Sequence, residues 1–235
     1  MDEEILILSL EKLGLKPSEN QIYLTNKLVN YTLEANKLFN LTSITNVDVF
    51  YEKMIIDSLI PLKYLNLTDK LVLDIGTGAG FPGLPLAIYS PKGDFYLLDS
   101  TKKRIDHISN FVNNYGLDNV HPVVSRAEDF AHGEFREKFD YVFARAVSNL
   151  SILLEISLPL LKVGGYFVAM KSRSGYEEIK NAEKCLKQFS SIIYETHVDF
   201  LPFSNEERLT IIIQKKKTSS HKFPRPFSLI KKKPF

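Results

Sequence analysis

One stretch of the chain constrains its fold more than any other. Residues 71–83 read Leu-Val-Leu-Asp-Ile-Gly-Thr-Gly-Ala-Gly-Phe-Pro-Gly, a short apolar run entering a glycine-rich turn. The pattern predicts a buried strand, a tight turn and the start of a helix, the unit from which α/β sheets are built. Open α/β sheets bind ligands beyond the carboxyl ends of their strands, so the turn marks the mouth of a site. Gly78, Gly80 and Gly83 satisfy G-x-G-x-x-G, a weak fingerprint by itself. Asp74 sharpens it. A carboxylate just ahead of the glycines repels a pyrophosphate, which wants bare amides and a helix N-terminus. It suits a cationic ligand instead, such as the ammonium and sulfonium of S-adenosylmethionine. No lysine follows the glycines, which excludes a phosphate-binding P-loop.

The rest of the chain keeps the same rhythm. Apolar runs at 71–75, 95–98, 120–124, 141–144 and 166–170 alternate with helical stretches near 84–89, 102–115, 150–161 and 176–189. Such alternation implies a largely parallel sheet covered on both faces. The runs at 192–198 and 209–214 have no helix between them, which predicts a hairpin and a sheet ending in an antiparallel strand. Ahead of the sheet the first 65 residues read as helices. Apolar residues from Ile5 to Leu13 lead to Gly14, a helix stop. Ser18 and Gln21 have capping-box spacing and open a helix reaching about Phe39. A polar turn at 40–43 and a further helix over 47–59, before Pro61, complete the segment. It is too short for an independent core and is expected to pack on the sheet domain. The expected organisation is a helical cap over 1–66, a sheet domain over 67–214 and a tail over 215–235.

Composition matters most for that tail. The chain has 30 Lys+Arg and 28 Asp+Glu, a net charge of +2. Eight of the basic residues, Lys215, Lys216, Lys217, Lys222, Arg225, Lys231, Lys232 and Lys233, lie beyond residue 213 with no acid among them. The first 213 residues therefore hold 22 basic and 28 acidic residues, net −6. An acidic body with a basic terminus favours a polyanionic partner such as nucleic acid, though a lysine run can also be a solvated terminus. No apolar run approaches the roughly 18 to 20 residues that span a bilayer, and the acidic start is unlike a signal peptide. The single cysteine, Cys185, excludes an intramolecular disulfide and fits a reducing, cytoplasmic setting. It reads as a small buried hydrophobe in a late helix. The five histidines lack metal-ligand spacing, and no metal is expected.

Further candidates lie at the ends of the later strands. Asp99 closes the second strand, 25 residues after Asp74, where an acid accepts hydrogen bonds from both ribose hydroxyls of a nucleoside. Its alternative role is to cap the helix starting near Thr101. Ala127 and Glu128 follow the third strand, placed to offer backbone groups to the base, or else to form a solvated loop. Arg145 ends the fourth strand at the same mouth, and its fork can grip a carboxylate or a phosphate. Asp74 argues against a dehydrogenase. A small-molecule methyltransferase and a non-catalytic RNA-binding protein remain open on these residues.

Taken together the motifs resemble the S-adenosylmethionine-dependent methyltransferases of the seven-stranded Rossmann-like class. The resemblance is closer to the RsmG (GidB) small-subunit rRNA guanine-N7 methyltransferases and covers almost the whole chain. It is carried by Asn40-Leu41-Thr42-Ser43, Ile56-Asp57-Ser58-Leu59, the stretch from Asp74 to Pro85, Leu97-Leu98-Asp99-Ser100 and Lys103-Arg104. Ser125-Arg126-Ala127-Glu128, Ala144-Arg145-Ala146 and Glu207-Arg208 extend it. The fold implied is α/β, a Rossmann-like sheet with an N-terminal helical cap and a basic C-terminal tail. The activity implied is methylation of N7 of a guanine in the 530 loop of 16S rRNA, in the small ribosomal subunit or its assembly intermediate. A monomeric cytoplasmic enzyme is expected. Gly76, Phe81, Ala127, Glu128 and Arg145 would contact the methyl donor, with Asp74, Gly78 and Asp99 in the roles of the wider class.

N7 carries a lone pair and no proton, so the implied reaction is direct in-line transfer with no catalytic base or metal. Arg126, Arg145, Lys171 and Arg208 are candidates for positioning the substrate. Lys103, Arg104, Lys222 and Arg225 are candidates for RNA phosphates. Asn40 and Asp57 either face the mouth or serve as a helix-end turn and an internal cap. Lys222-Phe223-Pro224-Arg225-Pro226 is similar to the family's basic, proline-rich C-terminal motif. The chain then departs from it, with Phe227-Ser228-Leu229 where Gly-Thr-Pro is usual.

Overall fold

The apolar runs form one seven-stranded sheet in a computed structural model that describes residues 3–235. Its strands are β1 (Leu71–Ile75), β2 (Asp94–Asp99), β3 (Val120–Val124), β4 (Phe139–Arg145), β5 (Leu161–Lys171), β6 (Ser191–Phe200) and β7 (Glu207–Lys215). The order is β3-β2-β1-β4-β5-β7-β6, with β1 to β5 parallel and β7 antiparallel to both of its neighbours. The chain reverses direction across the sheet beside β1, which places the carboxyl ends of β1 and β4 at a topological switch point.

The hairpin of β6 and β7 forms, but the antiparallel strand does not end the sheet. It lies between β5 and β6, and β6 is the edge. The burial of the two strands explains this. Leu209, Ile211, Ile212 and Ile213 of β7 are all buried, a continuous apolar run that needs cover on both faces. Ile192, Tyr194, Val198 and Phe200 of β6 are exposed, in keeping with its place at the edge.

Helices cover both faces. The N-terminal segment holds α1 (Glu3–Lys12), α2 (Glu19–Phe39), α3 (Val47–Phe50) and α4 (Asp57–Leu59). The Ser18 hydroxyl accepts from the Gln21 amide and the Gln21 side chain accepts from the Ser18 amide, a complete capping box at the start of α2. The single helix expected over 47–59 is a composite: a π-helical segment, Tyr51–Ile56, joins α3 to α4, and a 3-10 turn, Ile60–Lys63, follows. The Asp57 amide reaches the Glu52 carbonyl, five residues back. One extra residue is accommodated there, and such insertions re-aim side chains at functional sites. Pro61 does not stop the rod, because it sits in the first positions of the 3-10 turn, where no amide is needed.

The remaining helices are α5 (Gly83–Tyr89), α6 (Lys102–Tyr115), α7 (Ala127–Phe130), α8 (Leu150–Ser157), α9 (Gly175–Asn181), α10 (Glu183–Gln188) and α11 (Phe227–Lys232). The helix expected over 150–161 ends at Ser157, and Leu161 already belongs to β5, paired with Phe139. The helix expected over 176–189 is two, broken at Ala182 so that Ala182, Cys185, Leu186 and Phe189 all enter one apolar cluster.

Strand alternation divides the core. Val72, Phe95, Leu97 and Phe143 face α5, α6 and the N-terminal helices, which contribute Leu10, Leu28, Phe50 and Ile55 to the same cluster. Leu73, Ile75, Leu98 and Val142 face the opposite way, toward α8, α10 and the C-terminal segment. The cap therefore shares a core with one face of the sheet. Polar contacts add to it: Tyr31 stacks on His107 at 4.6 Å, and Gln21 Nε2 donates to the Ile88 carbonyl at 3.2 Å. No helix among the described residues is long and apolar enough to cross a membrane.

The tail departs most from its sequence reading. Lys215 is the last residue of β7, fully buried, with Nζ donating to Glu137 at 2.6 Å and to the Leu161 carbonyl at 2.8 Å. Phe223 and Ile230 are buried in the core. Arg225 donates from Nε and a terminal nitrogen to Glu155 at 2.7 and 2.6 Å, and Glu155 is fully buried. The segment folds back on the body because its aromatic and aliphatic residues have apolar surface to bury. Lys215 and Arg225 are thus both ion-paired to acids of the body, Glu137 and Glu155.

Candidate active site

The glycine turn after β1 is held from beneath. The Gly76 and Thr77 amides donate to the Leu98 carbonyl at 2.8 and 3.1 Å. The Gly78 amide donates to Asp99 Oδ2 at 3.1 Å, and the Gly83 amide to Asp74 Oδ2 at 2.9 Å. Gly76, with φ +68°, meets β4's exit so closely that a Cβ would lie 2.7 Å from Val147 Cγ2. Only glycine satisfies both the backbone angle and the space.

Asp74 lies in β1 just ahead of the glycines, as its place in the sequence implies, and its side chain is buried under the turn, outside the lining of the two cavities described below. Burial raises its pKa to about 6, against the opposing pull of Thr77, the Gly83 amide and Arg145. Oδ1 and the buried Thr77 hydroxyl nevertheless lack a hydrogen-bond partner of good geometry. Its role in this structure is to position the glycine turn.

Two cavities flank that turn and share Gly76, Ala146 and Val147 as a common wall. The smaller, about 290 Å³, is lined by Asp99, Arg126, Ala127, Glu128, Ile156 and Phe227 among others. Asp99 sits at the end of β2, in contact with the entry to α6 and with the smaller cavity. Its Oδ1 accepts from the Thr101 amide at 2.8 Å at the entry to α6, and its carboxylate still faces the cavity. Arg104 donates to Asp99 Oδ2 at 3.2 Å, at the place where a ribose would bind. Arg126 is exposed at the rim, and Ala127 and Glu128 open the short α7.

The larger cavity, about 710 Å³, lies between the glycine turn, the cap and β7. Gly78 and Phe81 line it, and Phe81 packs edge-on against Phe50 of the cap at 5.6 Å. The cap supplies Thr42, Lys53, Met54 and Asp57. The polar residues there form linked ion pairs. Arg208 Nε donates to Asp57 Oδ2 at 3.1 Å and its terminal nitrogen to Glu206 at 3.0 Å. Lys53 holds Glu206 at 2.5 Å. Arg145 donates to the Lys53 carbonyl at 3.0 Å and lies 3.6 Å from Asp57. Lys171 bridges the Ser148 carbonyl at 2.6 Å and Glu178 at 2.7 Å. Burial lowers the Arg145 pKa despite Asp57 and Asp74. Burial also opposes the charge of Arg208, but Asp57 and Glu206 raise its pKa overall.

The structure thus brings Gly76, Gly78, Phe81, Arg145, Lys171 and Arg208 to one cavity, and Asp99, Arg126, Ala127 and Glu128 to the other. Asn40 caps α2 in a left-handed conformation, and neither cavity includes it. Lys103 stays exposed with Nζ 4.1 Å from the Phe39 ring, and Lys222 is exposed. Asp57, a weighed alternative, is central. Lys53, Glu178 and Glu206 were not foreseen; they are ordinary helix and loop charges whose partners are distant in sequence. Phe227 marked only the point where the chain leaves the family's C-terminal motif, with nothing to place it at a cavity.

The residues fit S-adenosylmethionine. The smaller cavity has the acid and the backbone edge that a nucleoside needs, and Arg145 in the wall of the larger one is a cation suited to the donor's carboxylate. Cys185 is buried, and burial pushes its thiol up to about 12, which removes it as a nucleophile.

Known proteins share this arrangement. The family described as GidB, rRNA small subunit methyltransferase G, matches residues 21–208. A ribosomal RNA small subunit methyltransferase G of Fusobacterium nucleatum is 41% identical over 96% of each chain. That of Caldicellulosiruptor bescii is 42% identical over 90% of this chain and 91% of its own. Among solved structures, an S-adenosylmethionine-dependent methyltransferase from Aquifex aeolicus superposes with a TM-score of 0.54 at 18% identity, over 71% of this chain and 93% of that one. Methanococcus jannaschii fibrillarin, a pre-rRNA processing protein, gives 0.51 at 21% identity, over 65% and 70%. The two structures speak for the fold alone. The sequence matches, nearly end to end, establish that this chain belongs to the GidB family of rRNA small subunit methyltransferases.

Proposed function

We propose that this protein transfers a methyl group from S-adenosylmethionine to N7 of a guanine in the 530 loop of 16S rRNA. It acts on the small ribosomal subunit or an assembly intermediate, as a cytoplasmic monomer. One observation carries the choice of nucleophile: every carboxylate lining the larger cavity is paired with a cation. Asp57 holds Arg208, Glu178 holds Lys171, and Glu206 holds Lys53 and Arg208. Pairing lowers the basicity of each, which favours a substrate atom that needs no deprotonation. Guanine N7, with a lone pair and no proton, meets that condition.

When bound, S-adenosylmethionine supplies an electrophilic methyl group on a sulfonium. The chain's work is placement. Asp99 would accept from the ribose, and Ala127 and Glu128 would flank the base. Arg145 uses two donors on the Lys53 carbonyl and Met54 sulfur, leaving others in its fork for the donor's carboxylate. The glycine turn and Val147 separate the two cavities, so reacting atoms must meet along that wall, about 3 to 3.5 Å apart. The cavity wall carries four cations, Lys53, Arg145, Lys171 and Arg208, against three acids, Asp57, Glu178 and Glu206, a net charge of one positive unit.

The test is transfer of tritiated methyl to small subunits that lack the modification. One guanine should be labelled at N7. Absence of labelling on naked rRNA, assembly intermediates and mature subunits alike would sink the proposal.

A further inference from the structure

The C-terminal segment is tied to the body by an unusually dense set of contacts. The Arg136 guanidinium donates to the carbonyls of Ser219, Ser220 and Phe223 at 3.0, 3.0 and 2.8 Å. His132 Nε2 lies 2.9 Å from the Pro224 carbonyl. Phe223 and Phe235 pack with Phe189, with ring centroids 4.8 and 6.0 Å from it. Glu155, on α8, accepts from the Arg225 amide at 3.1 Å as well as from its side chain. These contacts fix the chain immediately ahead of Phe227, the first residue of α11.

Phe227 is half-buried and lines the smaller cavity beside Ile156, the neighbour of Glu155 on α8. Among the described residues lining that cavity, it is the sole aromatic. The other groups there are two acids, Asp99 and Glu128, two arginines, small aliphatics and loop backbone; Arg104 is engaged by Asp99 and Arg126 is exposed at the rim, so Phe227 is the apolar flat face of the cavity. A purine has two π faces, and an aromatic ring is the side chain that covers one at low entropic cost.

We propose that Phe227 is a methyl-donor-binding residue, its ring covering the adenine and the Glu155–Arg225 pair holding it in place. The tail thereby belongs to the donor site, and only its exposed lysines remain for RNA. This rests on reading the smaller cavity as the adenosine end of the S-adenosylmethionine site.

Calorimetric titration of the full chain with S-adenosylhomocysteine, without RNA, tests it. Phe227→Ala should weaken binding about tenfold, the usual scale of one lost base–aromatic contact. Phe227→Tyr, which keeps the ring, should stay within about twofold of the wild type. Equal affinity for wild type and Phe227→Ala would overturn the proposal. So would equal losses in the Ala and Tyr variants, tracking a fall in melting temperature, because the ring would then only pack. The chain has no tryptophan, so Phe227→Trp provides a reporter even if the Ala variant does not fold. Its fluorescence should change saturably with S-adenosylhomocysteine; a flat signal while calorimetry registers binding would equally overturn it. A wild-type chain that binds no S-adenosylhomocysteine would bring down the methyltransferase reading itself, and this inference with it.

Discussion

Arg208, near the start of the antiparallel strand β7, donates to Asp57 of the helical cap across the mouth of the larger cavity, Nε to Oδ2 at 3.1 Å. Arg145, at the end of β4, approaches the same carboxylate at 3.6 Å. One buried acid thus joins the cap, the parallel part of the sheet and the hairpin. Glu52 adds a second tie, accepting from the Phe203 and Ser204 amides of the hairpin turn at 2.7 and 2.8 Å.

Asp57→Asn would strand two neighbouring arginines without their shared counter-charge. Removing one partner of a buried ion pair typically costs on the order of 3 kcal/mol. Urea unfolding should register a loss of that order, and Asp57→Asn combined with Arg208→Met should recover part of it. A strictly additive double variant would show that the pair is not coupled.

Asp74 carries a pH signature. Its folded pKa, about 6, lies above its ordinary value of 3.8, so the folded state holds the proton more tightly. The stabilising contribution of the protonated form is fully present below 3.8 and is lost as pH rises toward 6. Compared with Asp74→Asn, the wild type should therefore lose stability between those two values and change little above them. Paired denaturation curves across that range measure it, and a carboxyl-carbon NMR titration should show a midpoint near 6.

Arg225 should behave as a structural residue toward RNA. Arg225→Leu leaves Glu155 buried and unpaired, for a loss on the order of 3 kcal/mol, partly restored by adding Glu155→Gln. The salt dependence of RNA binding should keep its slope in the double variant. A slope lower by about 1 would mean that Arg225 contacts a phosphate after all.

The exposed lysines of the tail should show the reverse. Replacing Lys231, Lys232 and Lys233 together with Gln should weaken RNA binding and lower the salt slope by roughly 2. Affinity for S-adenosylhomocysteine should stay unchanged. An unaltered slope would remove these lysines from the interface.

Gly76→Ala combines a strained left-handed backbone with a contact to Val147 closer than real Cβ atoms make. The backbone alone costs about 1 kcal/mol. Affinity for S-adenosylhomocysteine should fall several-fold, about that much strain expressed in binding. Val147→Ala should relieve the steric part when combined with it.

Local sequence determined much of this protein. A strand, a glycine turn and a helix follow from residues 71–89, because burial, positive φ and helix entry are each set by adjacent residues. The capping box at Ser18 and Gln21 and the hairpin of β6 and β7 were legible for the same reason. Asp99, Ala127 and Glu128 could be placed in advance because each follows a strand whose end the fold fixes. Tertiary structure decided the rest. The carboxylate of Asp74 is buried only because the turn folds over it, and Arg145 finds Asp57, 88 residues away. The basic tail reads as a polyanion-binding segment or a solvated terminus, yet Arg136, Glu155 and the Phe189 cluster fold it onto the body and bring Phe227 into the wall of the smaller cavity. Charge and hydropathy along a chain state what each residue needs; which distant partner meets that need depends on how the packed elements cross, and one residue's neighbours do not encode it.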